Sequence, residues 1–362
     1  MVGPPPPTWA VEPDGARASE VAPGLWRLRL PLSWPGIPAV NAYALARPDG
    51  GLVLVDCGGG GHPSCHEALE AALTQCGYSV QDVRTVVLTH YHSDHAGALQ
   101  WLVEQTGCEV LGHPDHAHFT DAGERPAEIA AARRRRAAAE GVPDAALDDF
   151  SDVREETDGI DAPVRPDHPL REGDVIESAL GDWRVLETPG HCPSHVCLHE
   201  TVSGTLIVGD LLSHEFHPWF DYGYSPDPVA ETLASLDRVI GLGGLSLVLP
   251  GHGRALDDVP ALVEMHRVGL AERLEAVRSA VANGTDNAHG ITYAVFGEDL
   301  TDMDAPWRLT EILCYLRHHR LTGQILRRIG EDGRFSYELG AQPVAARPAG
   351  TSESWSPTSA TR

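Results

Sequence analysis

The sequence predicts an α/β fold in which two sheets pack together with helices outside. Short apolar runs of four to six residues, too short for buried helices, recur along the chain and read as strands. Segments with helical spacing interleave with them in both halves. A length of 362 residues with 42% hydrophobic composition is enough to bury a sizeable core and, at about 150 residues each, suggests roughly two domains.

The Pro-rich start, with Pro4 to Pro7, is expected to be a flexible arm over residues 1–20, and the Ser/Thr/Pro/Ala-rich end a disordered tail over 342–362. Between them, residues 21–265 read as the core domain. Its first half carries strands at Leu25–Leu30, Asn41–Leu45, Leu52–Asp56 and Thr85–Thr89. The third of these ends in Cys57-Gly58-Gly59-Gly60-Gly61, a turn that glycines adopt easily. Ser64–Cys76 and Ala96–Gln105 have helical spacing. Residues 113–167 read as an insertion over the core, an Ala/Arg-rich helix at Ala127–Glu140 followed by an acidic loop; its run Arg133 to Arg136 is expected to be a solvated face. Strands return at Trp183–Glu187, Val196–His199, Thr205–Val208 and Leu245–Leu249, with a helix at Pro228–Ile240. Residues 266–341 read as a helical, winged-helix-like domain: helices at Leu309–His319 and Leu321–Ile329, then a turn and a short hairpin near Phe335.

Composition excludes several functions. Acidic residues outnumber basic ones 52 to 27, a formal charge of −25, which disfavours gripping nucleic-acid phosphates or anionic membranes. Within 298–340, six arginines face eight acidic residues, so the C-terminal segment is not a basic reading module either. No apolar run reaches a membrane-spanning length, and the N-terminus lacks the charged head and apolar stretch of a signal peptide. Seven cysteines without CxxC pairs point to a reducing cytoplasm and not to a disulfide framework. All basic residues are arginine, which with 37 Gly and 28 Pro fits a GC-rich bacterial genome.

The decisive segment is His90-Tyr91-His92-Ser93-Asp94-His95, directly after the strand at Thr85–Thr89. In extended backbone His90 and His92 point the same way, while Asp94 and His95 face a neighbouring point as the chain turns into a helix. The usual separation in two-metal sites is about 3.5–4 Å. Imidazoles with carboxylates are the ligand set of borderline divalent metals such as zinc. Three later strands each end in another ligand type beside a glycine: His191 in Thr188-Pro189-Gly190-His191, Asp210 in Val208-Gly209-Asp210, and His252 in Pro250-Gly251-His252-Gly253.

Over about residues 20–265 the chain resembles the metallo-β-lactamase superfamily, whose signature is H-x-H-x-D-H followed by a further His, Asp and His. The resemblance implies an αβ/βα sandwich with a dinuclear metal site between the sheets. It assigns His90, His92 and His191 to one metal, Asp94, His95 and His252 to the other, and Asp210 to both. The metals implied are two divalent ions, zinc first, with iron or manganese as alternatives. The antibiotic-hydrolysing zinc enzymes typically carry a cysteine near the Asp210 position, and its absence here favours the hydrolase and thioesterase branches, glyoxalase II among them. The helical C-terminal segment resembles an appendage found on some of those hydrolases.

The chemistry so implied is attack of a metal-bound hydroxide on a carbonyl, with Asp94 and Asp210 as the catalytic carboxylates. The expected substrate is a small acyl thioester, an acyl-glutathione, acyl-CoA or acyl carrier; a lactone or ester hydrolase on the same core is the alternative. A ribonuclease and an iron persulfide dioxygenase rank below both. Asp56 is expected to hydrogen-bond the histidine loop or cap its strand. His195, His214, Trp219 and Tyr222 are candidates for pocket or supporting roles. His113, His116 and His118 read as surface histidines, and Cys192 and Cys197 as small buried residues.

Overall fold

The computed structural model describes residues 11–34, 36–152, 159–301 and 304–341. The expected tail at 342–362, the first half of the Pro-rich arm and part of the acidic loop lie outside them. Seven strands form one sheet in chain order: β1 (Arg17–Ala22), β2 (Leu25–Trp34), β3 (Ile37–Ala46), β4 (Leu52–Val55), β5 (Val83–Val87), β6 (Glu109–Gly112) and β7 (His168–Pro169). The second sheet runs β12-β11-β10-β9-β8, with β8 at Val175–Glu177, β9 at Asp182–Glu187, β10 at Val196–Glu200, β11 at Thr205–Gly209 and β12 at Leu247–Pro250. The parallel pairs β4–β5–β6 and β11–β12 need crossovers. Helices α1 (Pro63–Gln75), α2 (Ser93–Ala96), α3 (Leu99–Thr106) and α6 (Pro228–Leu242) lie along those connections.

Burial explains the layering. β4 and β11 are buried at every position and almost wholly apolar, as strands covered on both faces must be. Tyr43, Leu45, Val53 and Val87 of the first sheet meet Trp183, Val185, Leu198 and Ile207 of the second in one core. Leu69 and Leu73 of α1 and Leu99 and Leu102 of α3 cover the outer face of the first sheet. Leu236 and Val239 of α6 cover the second. The αβ/βα sandwich expected from the sequence is therefore present, and all seven cysteines are free thiols.

Three expectations change. Arg17–Ala22 pairs with β2, so the arm ends before residue 17. Helix α9 (Asp304–Leu321) stops just before Gly323, whose φ of +73° cannot continue it, and Ile325–Ile329 is a strand, β13, paired with β14 (Phe335–Leu339), where the sequence predicts a second helix. The Arg133–Arg136 run in α5 (Pro126–Ala139) is not one solvated face. Consecutive helical residues point about 100° apart, so Arg134 and Arg135 are exposed while Arg133 reaches the Asp152 carbonyl and Arg136 lies over Tyr222. Helix α4 (Ala117–Glu124) completes the insertion. Its α5 packs with α7 (Val259–Ala282), α8 (Ala288–Phe296), α9 and the hairpin in a single hydrophobic cluster. Among the described residues no helix is long and apolar enough to cross a membrane.

Candidate metal centre

Four strand ends deliver side chains to one place. The loop after β5 and the start of α2 carry His90, His92, Asp94 and His95; the β9–β10 loop carries His191; Asp210 follows β11 and His252 follows β12. His92 Nδ1 lies 2.9 Å from His191 Nε2. The His90 ring stands 4.7 Å and 4.9 Å from those two rings. On the other side, His252 Nε2 is 3.1 Å from Asp94 Oδ2 and 3.3 Å from Asp210 Oδ2. His95 Nε2 is 3.6 Å from Asp94 Oδ2 and 3.5 Å from Asp210 Oδ1. Asp210 Oδ2 also comes within 3.9 Å of His191 Nε2, so this carboxylate touches both groups. The structure thus brings all seven predicted residues together, with His90/His92/His191 and Asp94/His95/His252 as two sets able to hold a cation each.

Buried atoms without partners test whether cations fit. His90 Nε2, His95 Nε2 and Asp210 Oδ1 are buried and make no hydrogen bond. Such atoms are costly unless something else satisfies them. All three sit in this cluster, and the donor set, imidazole nitrogen and carboxylate oxygen, suits a divalent ion. A Cβ on Gly251 would overlap Asp210 Oδ1, so glycine is needed for that carboxylate to occupy its place.

The outward nitrogens of His90, His92, His95 and His252 are engaged, which turns their other nitrogens toward the centre. Asp56 Oδ1 accepts from the Thr89 N–H at 2.8 Å, and its Oδ2 accepts from Thr89 Oγ1 at 2.8 Å and His95 Nδ1 at 2.9 Å. Thr89 Oγ1 in turn accepts a hydrogen bond from His90 Nδ1–H at 3.0 Å. His252 Nδ1 donates to the Ala39 carbonyl at 2.9 Å, and His92 Nε2 faces Asp221 Oδ2 at 2.9 Å. Such partners orient metal-binding imidazoles and raise their basicity. Asp56 does this from a left-handed backbone at φ +59°, a strained conformation for a non-glycine residue.

Electrostatics separates the imidazoles by whether a carboxylate faces them. Burial, reinforced by neighbouring imidazoles, pushes His90 and His191 well below the usual histidine range, leaving them neutral. Burial opposes the charge on His95, but Asp94, Asp210 and Asp56 outweigh it and hold His95 well above that range. Burial likewise works against ionised Asp94 and Asp210, and the surrounding His95 and His252 overcome it, lowering both.

The remaining candidates sort by what they touch. His195 is fully buried; its Nδ1 bonds Thr188 Oγ1 at 2.9 Å and its Nε2 accepts the Asp210 N–H at 3.1 Å, so it holds the Asp210 backbone. Burial pushes it down to about 4, consistent with a neutral acceptor. Gly209 makes room, since a Cβ there would lie 2.5 Å from His195 Nε2. Trp219 stands edge-on to His92, with ring centres 6.1 Å apart. His214 bonds the Ala255 carbonyl at 3.3 Å and is not among the clustered groups, and Tyr222 turns away toward Arg136.

His113, His116 and His118 are buried, not on the surface. Packing of α4 against the site loop explains it: Tyr91 contacts His116 and Phe119, and His118 Nδ1 meets Asp221 Oδ2 at 2.8 Å. Its Nε2 reaches Ser194 Oγ at 2.8 Å. Asp221 and His118 are the supporting residues that sequence reasoning misses. The one signal is that Asp221 lies in the aromatic stretch following Asp210. Cys192 is buried beside them, with a thiol pushed well up by burial.

Residues 35–252 match the family model of the Metallo-beta-lactamase superfamily. The chain belongs to the metallo-beta-lactamase superfamily. Within it, the chain is 31% identical over 246 residues to the Bacillus subtilis protein named "Probable metallo-hydrolase YqjP", covering 63% of this chain and 72% of that one. It is 33% identical over 175 residues to the acyl-coenzyme A thioesterase MBLAC2 of Gallus gallus, covering 46% of this chain and 55% of the relative's length. It is 26% identical over 166 residues to the hydroxyacylglutathione hydrolase of Rhodospirillum rubrum, covering 46% and 44%. Among solved structures, the metallo-beta-lactamase family protein TTHA1429 of Thermus thermophilus superposes with a TM-score of 0.76 at 28% identity, covering 88% of this chain and 100% of that one.

Proposed function

We propose that this member of the metallo-beta-lactamase superfamily is a two-metal hydrolase of acyl thioesters. The observation that carries the reading is the pair of donor sets sharing Asp210, lined by unpartnered buried atoms. His90, His92 and His191 would hold one ion, Asp94, His95 and His252 the other, with Asp210 on both. Zinc is the ion this donor set favours. When bound, two such ions supply Lewis acidity, acidifying water and polarising a carbonyl.

The chain supplies the rest. Asp56 and Thr89 lock the tautomers of His90 and His95. Asp94, held ionised, is placed to accept a hydrogen bond from the attacking water and to take its proton. The His252 side chain is 26% exposed while that of His95 has no exposure, so substrate enters from the His252 side. Beside His92, Trp219 packs edge-on against Trp307 at 4.9 Å, and Trp307 against Trp34 at 5.4 Å, an apolar wall for the acyl group. The names of two relatives, an acyl-coenzyme A thioesterase and a hydroxyacylglutathione hydrolase, support a thioester over other carbonyl substrates.

The test is a panel of acyl-CoA, acyl-glutathione, lactone and RNA substrates on metal-reconstituted protein, before and after chelation. Thioester cleavage lost on chelation, with two equivalents of zinc per chain, is the expected result. Activity on the lactone alone or on RNA alone, or a single redox-active iron, rejects it. Trp219→Ala should raise KM for a long-chain acyl thioester about tenfold, roughly 1.4 kcal/mol of lost apolar contact, and leave the acetyl thioester within a factor of about two. Equal effects on both chain lengths would place the acyl group elsewhere.

A further inference from the structure

Three guanidiniums gather where α5, the end of α9 and the C-terminal hairpin meet, and among the described residues none of them forms an ion pair. Arg136 stacks on Tyr222 with its Cζ 4.9 Å from the ring centre, and its Nε is buried without a hydrogen-bond partner. One helical turn on, buried Glu140 accepts from the Tyr337 hydroxyl at 2.9 Å and 3.0 Å. Tyr337 pairs across the hairpin with Arg327, so both side chains leave it on the same face. Arg327 lies over Phe335, 4.2 Å from its ring centre. Arg320, in the last turn of α9, completes the group. Glu140 feels Arg327, Arg136 and Arg320 together, and Arg320 is itself lowered by burial and by the neighbouring Arg327.

Three positive groups therefore share one carboxylate, in a chain with acidic residues to spare. Burial pushes that carboxyl up to about 7 even against the arginines, so it neutralises them poorly. Arg136, Arg320, Arg327 and Tyr222 are only half-buried, and a solute can reach them. The cluster flanks the metal centre: Tyr222 directly follows Asp221, which faces His92, and the Tyr224 ring is 6.2 Å from His118.

We infer that Arg136, Arg320 and Arg327 form a binding site for phosphate groups on the carrier end of the substrate. Guanidinium forks match phosphate oxygens bidentately, and several together select a multiply charged group over a single carboxylate. The inference rests on the thioester reading and narrows it. An acyl-CoA carries such phosphates, while an acyl-glutathione offers only carboxylates.

Two measurements on the full chain test it. The first is calorimetric titration with pyrophosphate of the wild type and of Arg136→Gln, Arg327→Gln and Glu140→Gln. The arginine variants should each weaken binding tenfold or more. Glu140→Gln, which removes the competing charge and keeps an acceptor for Tyr337, should tighten it. The second is the ratio of kcat/KM for an acyl-CoA to that for the same acyl group on uncharged N-acetylcysteamine, which should fall at least tenfold in the arginine variants, chiefly through KM. No wild-type binding at millimolar pyrophosphate, unaltered affinity in the variants, or an unchanged ratio overturns the site. Should the wild type cleave neither thioester, the thioesterase reading fails while the pyrophosphate titration still decides the site. If Arg136→Gln does not fold, Arg327→Gln on the partly exposed hairpin decides.

Discussion

Asp210→Ala is expected to lose metal and activity together, with bound zinc falling from two equivalents toward one and kcat/KM dropping on the order of 10³-fold. The size follows from where the carboxylate sits. Its Oδ2 is 3.3 Å from His252 Nε2 and 3.9 Å from His191 Nε2, and its Oδ1 is 3.5 Å from His95 Nε2. It is the carboxylate that approaches both donor sets, so its removal leaves each set short of a negative ligand. Several kcal/mol of Lewis-acid stabilisation go with the ion, and about 1.4 kcal/mol is tenfold in rate. Elemental analysis of the purified variant and steady-state kinetics across added zinc give the two readouts. Thermal denaturation separates metal loss from unfolding, because His195 and Gly251 hold the Gly209–Asp210 peptide unit independently of the Asp210 carboxylate. Retention of two equivalents with unaltered kinetics would mean that the centre is wrongly assigned.

Legibility tracks how local the signal is. His90, His92, Asp94 and His95 lie in one short segment after a five-residue apolar strand, and alternation in extended backbone is enough to aim the first two together. His191, Asp210 and His252 stand out because each follows a buried strand beside a glycine, and Gly251 and Gly209 prove to be places where a Cβ would strike Asp210 or His195. The supporting layer is not legible. Asp221 meets His92 across 129 residues of sequence and His118 across the insertion, and no spacing rule links them. His118 reads as a surface residue because the nearby sequence offers no closed ligand set, and the packing of α4 on the Tyr91 loop buries it. The hairpin escapes for a different reason. Leu321, Ile325 and Ile329 repeat at helical spacing, and the signal that should win is Gly323, a helix terminator in the middle of the run.

Asp221→Asn should weaken zinc binding about 10–100-fold while leaving the rate at saturating zinc within about tenfold of wild type. Asp221 Oδ2 sits 2.9 Å from His92 Nε2 and 2.8 Å from His118 Nδ1, half-buried between two imidazoles. Burial alone would favour a neutral acid, and the adjacent His92 and His118 overcome it and keep the carboxylate ionised. An anion at that point draws the His92 proton to Nε2, which leaves Nδ1, the atom facing His191, as an electron-rich lone pair. An asparagine keeps the shape but offers a neutral oxygen to two N–H donors, so the tautomer is held less firmly and Nδ1 becomes less basic. The consequence belongs to occupancy more than to chemistry: activity plotted against free zinc should shift to higher concentration and still approach a plateau. His118→Gln, which preserves a donor to Asp221, should shift the same curve by less. A zinc curve for Asp221→Asn that coincides with wild type would reduce the His92–Asp221–His118 chain to local packing.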